Sequence, residues 1–202
     1  MQRVMSFKYR KSKGKLFLIR KTSKFSKKRL KRSKKYKKYR SSPFLQRYKF
    51  HAVPSDGRCS YWCVFYAAHP EYQNPELKQL FQFVASLHLP SERKREANNL
   101  LSSGCWTNSF AGDPTFLLEH STEANSMLLQ NGYTHYASVV DRSAKHQRVV
   151  RALQENDLSD LHVNGVWSLK SREFTPQLQF SPTERIVCFC NSGGHWELVL
   201  PV

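Results

Sequence analysis

The sequence predicts an α+β (mixed α/β) domain preceded by a disordered basic tail. The first 50 residues contain 21 Lys and Arg and no Asp or Glu, whereas the rest of the chain contains 12 basic and 15 acidic residues. Apolar residues recur at helical spacing through the middle of the chain, and strand-like segments follow and end in a hairpin. Helices followed by strands are typical of α+β domains. The change in composition after Pro43 divides the chain into a tail, 1–44, and a domain, 45–202.

The tail carries its densest positive charge between Lys27 and Arg40, where like charges repel and few apolar residues offset the entropy of the chain. We expect this cluster to bind nucleic acid without sequence preference, by neutralising phosphates, or to act as a nuclear import signal. Its basic residues are Lys27, Lys28, Arg29, Lys31, Arg32, Lys34, Lys35, Lys37, Lys38 and Arg40. A tail that only aids solubility and a tail that binds anionic lipids are the open alternatives.

Helices are predicted for the first part of the domain, after a short lead-in strand at 48–53. The first helix covers 59–68, where an apolar run stops before Pro70. Later helices begin near Pro75, at Ser91 and at Pro114, and the last two of these end at Gly104 and at Asn131-Gly132.

Strands are predicted over 135–140, 161–169 and 185–190, with a further helix over 143–155. The last strand covers 195–200, and Asn191-Ser192-Gly193-Gly194 is a strong signal for the turn of a terminal hairpin. No segment is long and apolar enough to predict a membrane span or the core of a signal peptide.

Cys59 is the first candidate for chemistry, because it connects the turn signal Ser55-Asp56-Gly57 to the apolar run of the first helix. A thiol in the first turn of a helix lies near unpaired N–H groups and the positive end of the helix dipole, which stabilise a thiolate. A thiolate nucleophile also needs an imidazole. His195 is the candidate base, and Glu197, expected on the same face of the last strand, is the candidate that orients its ring.

These two motifs, Asp56-Gly57-Arg58-Cys59 and His195-Trp196-Glu197, resemble those of the ovarian-tumour (OTU) family of cysteine proteases, many of which are deubiquitinases. Members of that family carry Asp-Gly-x-Cys at the start of a long helix and His-aromatic-Asp/Asn near the end of the domain. The resemblance implies a papain-like fold in which a small central β-sheet is flanked by helices. Arg58 stands where Asn is usual, and Glu197 is one methylene longer than the usual third residue. Asp56 is expected to shape its loop or to assist the histidine.

The resemblance also implies a role for each remaining residue of the motifs. Cys59 would be the nucleophile, His195 the general base and Glu197 the group that orients the base. The oxyanion hole would be formed by the backbone N–H groups of Gly57, Arg58 and Cys59.

The other cysteines offer a competing interpretation. Cys63 lies one helical turn after Cys59, and Cys188 and Cys190 share one face of a predicted strand, so the four thiolates are candidates for a zinc site. We favour core packing for the last three of these cysteines and predict no metal and no cofactor. In a chain without a secretion signal the cysteines are predicted to be reduced, and Cys105 has no assigned role.

The predicted function is hydrolysis of peptide or isopeptide bonds by an OTU-like thiol hydrolase. The resemblance implies ubiquitin or a ubiquitin-like protein as its partner. Residues 1–44 would bind nucleic acid or direct the chain to the nucleus, so the expected location is the nucleus or cytoplasm, and the host nucleus if the chain is viral. The alternative is a non-catalytic, nucleic-acid-binding structural protein, such as a viral core or capsid-associated protein, that keeps the protease-like domain as a scaffold.

Deletion of residues 1–42 removes 19 of the 33 basic residues and is expected to leave the domain folded. Affinity for nucleic acid should collapse, and the full-length chain should lose affinity steeply with added salt because its binding releases counterions. Fluorescence anisotropy with a labelled oligonucleotide at several salt concentrations measures both effects. Salt-insensitive binding, or equal binding by the shortened chain, would contradict the role of the tail.

Overall fold

The computed structural model describes residues 8–12, 15–19, 48–104 and 112–202. The chain divides into two units, 1–43 and 44–202, and each is described by itself. The basic cluster between Lys27 and Arg40 and the unassigned Cys105 lie outside the described residues.

The first unit contains an antiparallel hairpin of β1 (Lys8–Ser12) and β2 (Lys15–Ile19). Its register places Lys8 opposite Ile19 and Ser12 opposite Lys15. This hairpin departs from the disorder expected for the whole tail. The physical reason lies in the sequence of β2, where four consecutive apolar residues, two of them (Phe17 and Ile19) with high strand propensity, follow Gly14 and Lys15.

The second unit is built on a five-stranded sheet with the strand order β3-β7-β6-β4-β5. The strands are β3 (Tyr48–His51), β4 (His135–Val140), β5 (His162–Ser168), β6 (Ile186–Asn191) and β7 (Trp196–Pro201). β4 and β6 are parallel, and every other neighbouring pair in this sheet is antiparallel. Strands and helices in one unit confirm the α+β prediction, and each predicted strand is present within two residues of its expected ends.

Six α-helices accompany this sheet in the described residues. They are α1 (Cys59–Ala68), α2 (Leu77–Ser86), α3 (Ser91–Ser103), α4 (Thr115–His120), α5 (Thr122–Gln130) and α6 (Gln147–Gln154). The predicted bounds of α1 are confirmed, and α3 ends before Gly104 as predicted.

Two helix predictions were wrong in detail. The single helix predicted from Pro114 to Gln130 is broken at Ser121, whose backbone is extended and whose hydroxyl accepts a hydrogen bond from the Ala124 amide. Serine is a favoured N-cap, so its side chain begins a new helix instead of continuing the old one. The helix predicted over 143–155 begins with a 3-10 turn, and left-handed backbone at His146 separates that turn from α6.

The sheet separates two hydrophobic cores. The first core contains residues of α1 to α5 together with Val187 and Phe189 of β6, and the second contains residues of α6 together with Cys188 and Cys190. Neighbouring residues of β6 therefore enter different cores, as the alternation of a strand requires. Cys63 belongs to the first core and, like Cys188 and Cys190, is completely buried, which confirms the predicted packing role of these three thiols.

Replacement of Cys63 by alanine should leave a small cavity in the first core and lower the free energy of unfolding by about 1–2 kcal/mol. Cys59→Ala is the matched control, because Cys59 is only half-buried and its loss should change that free energy by less than about 0.5 kcal/mol. Urea denaturation of both variants measures the difference. A larger loss of stability for Cys59→Ala than for Cys63→Ala would reverse the assignment of the two thiols.

Candidate active site

The turn before α1 is held by the carboxylate of Asp56. Asp56 Oδ1 accepts a hydrogen bond from the backbone amide of Arg58 (3.0 Å), and Oδ2 accepts one from the indole of Trp62 (3.1 Å). Gly57 between them has φ of 80°, a left-handed conformation that glycine adopts without strain. Asp56 therefore shapes the loop, the first of the two roles that the sequence left open. The amide of Arg58, one of the three predicted for the oxyanion hole, is engaged within the turn.

The side chain of Arg58 fixes the same turn to the end of α3. Its guanidinium donates hydrogen bonds to the carbonyl oxygens of Leu101 (2.5 Å) and Ser102 (3.4 Å), and to that of Asp56 (3.1 Å). The last carbonyls of a helix lack partners within the helix and carry its negative dipole end, so a guanidinium is a favourable partner for them. The residue directly before Cys59 is therefore held against the end of a second helix.

Cys59 is the first residue of α1. The backbone amides of Tyr61 and Trp62 donate to the carbonyl of Arg58, which starts the helix directly at the cysteine. Its Sγ accepts a hydrogen bond from the backbone amide of Trp196 at 3.4 Å. This contact joins residues 137 positions apart in the chain and connects the start of α1 to the start of β7.

His195 lies in the turn that leads into β7, immediately before Trp196. The side chain of Asn191 accepts hydrogen bonds from the amides of Gly193 (2.8 Å) and Gly194 (3.0 Å), both of which have positive φ. The amide of Ser192 donates to the carbonyl of His195 and closes the turn. Because His195 is bonded to the residue that contacts Cys59, the two motifs meet at one place in the fold.

The ring of His195 is directed by the turn and not by the pleat of β7. His195 Nε2 lies 3.3 Å from the hydroxyl oxygen of Ser55, at hydrogen-bonding distance. Ser55 stands directly before the turn formed by residues 56–59. In the sequence Ser55 is recognisable only as part of a turn signal, and nothing local marks it as a site residue.

The side chain of Glu197 contacts His146 and not His195. Its Oε2 lies 2.9 Å from Nε2 of His146, and β7 places Glu197 opposite Cys190, a residue of the second core. The side chain of Trp196 belongs to the first core, and Cys59 packs against that core, so Cys59 and Glu197 are associated with different cores. In the part of the chain that the structure describes, Glu197 and His195 form no hydrogen bond with each other. The prediction that His195 and Glu197 share one face of β7 was wrong, because His195 precedes this strand and the alternation of its side chains does not apply to it.

His146 was missed by the sequence analysis. It is buried, with 1 % of its side chain exposed, and its Nδ1 lies 3.7 Å from the carboxylate of Asp141. Asp141 is itself held by Ser143, whose amide and hydroxyl both donate to it. The buried imidazole of His146 therefore lies between two carboxylates, which is a strongly polar arrangement. No local pattern marks His146, because its partner Glu197 lies 51 residues further along the chain.

The remaining described cysteines differ from Cys59 in their surroundings. Burial raises the pKa of Cys63 and that of Cys190 well above the ordinary thiol value, so both stay protonated at neutral pH. The competing zinc set is not assembled among the described residues, because Cys63 lies in one core and Cys188 and Cys190 lie in the other. Cys59 is the one cysteine of this part of the chain that is not fully buried.

No family model, curated protein or solved structure matches this chain. Among the described residues, no helix combines the length and the apolar character that crossing a membrane requires.

Replacement of His146 by alanine should lower the free energy of unfolding by about 2–4 kcal/mol, because it opens a cavity and leaves the carboxylates of Asp141 and Glu197 without their buried partner. Glu197→Gln keeps a side chain of the same shape that can hydrogen-bond to the ring, so it should cost less than about 1.5 kcal/mol. Guanidinium denaturation ranks the two variants. Equal stability of His146→Ala and the unchanged protein would contradict a structural role for this contact.

Proposed function

We propose that the domain is an OTU-like thiol hydrolase in which Cys59 is the nucleophile and His195 is the general base. The hydrogen bond from the Trp196 amide to Cys59 Sγ carries this proposal, because it brings the thiol at the start of α1 to the residue next to the imidazole. A buried helix whose first residue is a cysteine, in contact with the residue that follows a histidine, also supports a papain-like arrangement of this α+β domain.

The chemistry follows from these two side chains. His195 accepts the thiol proton, and Cys59 Sγ attacks the carbonyl carbon of the scissile bond, so that a C–S bond forms. The C–N bond then breaks as His195 gives the proton to the departing nitrogen, which leaves a thioester on Cys59. Water, deprotonated by His195, attacks the thioester carbonyl, releases the carboxylic acid and restores the thiol. The position of Cys59 at the N-terminus of α1 favours the thiolate form of its side chain.

The proposed substrate is a peptide or isopeptide bond after the C-terminus of ubiquitin or a ubiquitin-like protein, a class taken from the resemblance of the two motifs. The tail adds a proposed second activity. Its charge, 19 basic residues within 1–42 and no acidic ones, supports binding to nucleic acid or nuclear targeting. The same charge favours the alternative of a non-catalytic nucleic-acid-binding protein, which differs from the main proposal only in the reactivity of Cys59.

Cys59→Ala should abolish hydrolysis and should prevent adduct formation with a ubiquitin carrying a C-terminal electrophile, because the nucleophilic sulfur is gone. His195→Ala should slow both reactions by at least about 100-fold, the usual contribution of a general base. Intact-protein mass spectrometry counts the adducts, and Cys63→Ala is the control that should still react.

Each possible outcome tests a different part of the proposal. Adduct formation by Cys59→Ala would show that another residue is the nucleophile. A chain that reacts at Cys59 with small electrophiles but with none of the ubiquitin-like probes would contradict the substrate class alone. A Cys59 no more reactive than a free thiol would favour the non-catalytic alternative.

A further inference from the structure

The imidazole of a cysteine hydrolase needs a partner on the nitrogen that does not face the sulfur. One ring nitrogen must carry a lone pair to accept the thiol proton, and a hydrogen bond to the other nitrogen selects that tautomer and fixes the ring plane. Sequence resemblance gives this role to Glu197. The carboxylate of Glu197 instead contacts the buried His146 at 2.9 Å.

Ser55 makes the contact with the His195 ring that Glu197 does not make. Its Oγ lies 3.3 Å from Nε2 of His195, and the backbone that carries it leads directly into the nucleophile turn. The two residues are 140 positions apart in the chain, so the contact arises from the fold and not from local geometry.

We propose that Ser55, and not Glu197, positions the His195 ring for reaction with Cys59. This inference rests on the proposed function. In the productive tautomer Nε2–H donates to Ser55 Oγ, and Nδ1 is the basic nitrogen that takes the thiol proton. Ser55 is a positioning residue, because it acts on the reacting atoms only through His195.

The neighbouring carboxylates are accounted for by other partners. Asp56 accepts hydrogen bonds from the Arg58 amide and the Trp62 indole, and Glu197 contacts His146. A neutral hydroxyl at this position fixes the ring without adding negative charge to it. The imidazolium formed with the thiolate therefore receives less electrostatic stabilisation than it would from a carboxylate.

The structure also provides a matched control for the hydroxyl group. Ser192 lies in the turn that carries His195, and its Oγ contacts the carbonyl oxygen of His195 at 3.2 Å, not the ring. Ser192→Ala therefore removes a hydroxyl from the same histidine without touching the imidazole. Ser55 is exposed, so its replacement by alanine should not prevent folding.

The test measures the rate of Cys59 alkylation by iodoacetamide between pH 5 and 9 in the full-length chain, with mass spectrometry of the Cys59 peptide. Ser55→Ala should lower the rate constant at pH 7 about three- to tenfold, the effect of one neutral hydrogen bond, and should change the shape of the pH profile. Ser55→Thr, which keeps the hydroxyl, should restore the rate to within about twofold. Ser192→Ala and Glu197→Gln should retain the profile of the unchanged protein.

Two results would overturn the inference while leaving the proposed function intact. One is a Ser55→Ala profile identical to that of the unchanged protein, and the other is a profile altered by Glu197→Gln instead. An unchanged protein whose Cys59 titrates as an ordinary thiol, and whose profile is insensitive to His195→Ala, would overturn the proposed function and this inference together.

Discussion

The burial of α1 between the sheet and the other helices is the constraint on which the site depends. Nine of its ten residues are buried, and only Cys59, the first, is not. A helix fixed along its whole length cannot slide or rotate without disturbing the first core, so the position of the Cys59 sulfur relative to β7 is set by packing. The amide of Trp196 then meets that sulfur as a result of packing and not of any local feature of the cysteine.

Features that depend on neighbours in sequence were predicted well. The bounds of α1 follow from a turn signal and an uninterrupted apolar run, and the β6–β7 hairpin follows from consecutive glycines between two strand-like segments. The alternation of β6 predicts that Cys188 and Cys190 lie in one core, and both belong to the second core. The two motifs that the Trp196–Cys59 contact joins could also be recognised in the sequence, since each is a short segment with its own turn chemistry.

The partners of the site residues could not be predicted, because they depend on positions that only the fold defines. Strand alternation assigned His195 and Glu197 to one face, but β7 begins one residue after His195, so the rule did not apply to it. His146 reaches Glu197 through a left-handed backbone at the start of α6, and no side-chain pattern encodes that conformation. Ser121 broke a predicted helix for a related reason, since its hydroxyl competed successfully with the helical backbone.

The single position of α1 that is not buried separates the requirements of folding from those of the proposed chemistry in evolutionary terms. Substitution at Cys59 is expected to be nearly neutral for folding, whereas each of the nine residues that follow it is constrained by the core. Natural variants that have been selected only as scaffolds would therefore drift at Cys59 and His195 while the rest of α1 stayed fixed. Variants selected for catalysis would retain all of these positions together, so the pattern of polymorphism in natural populations carries a record of which selection has acted.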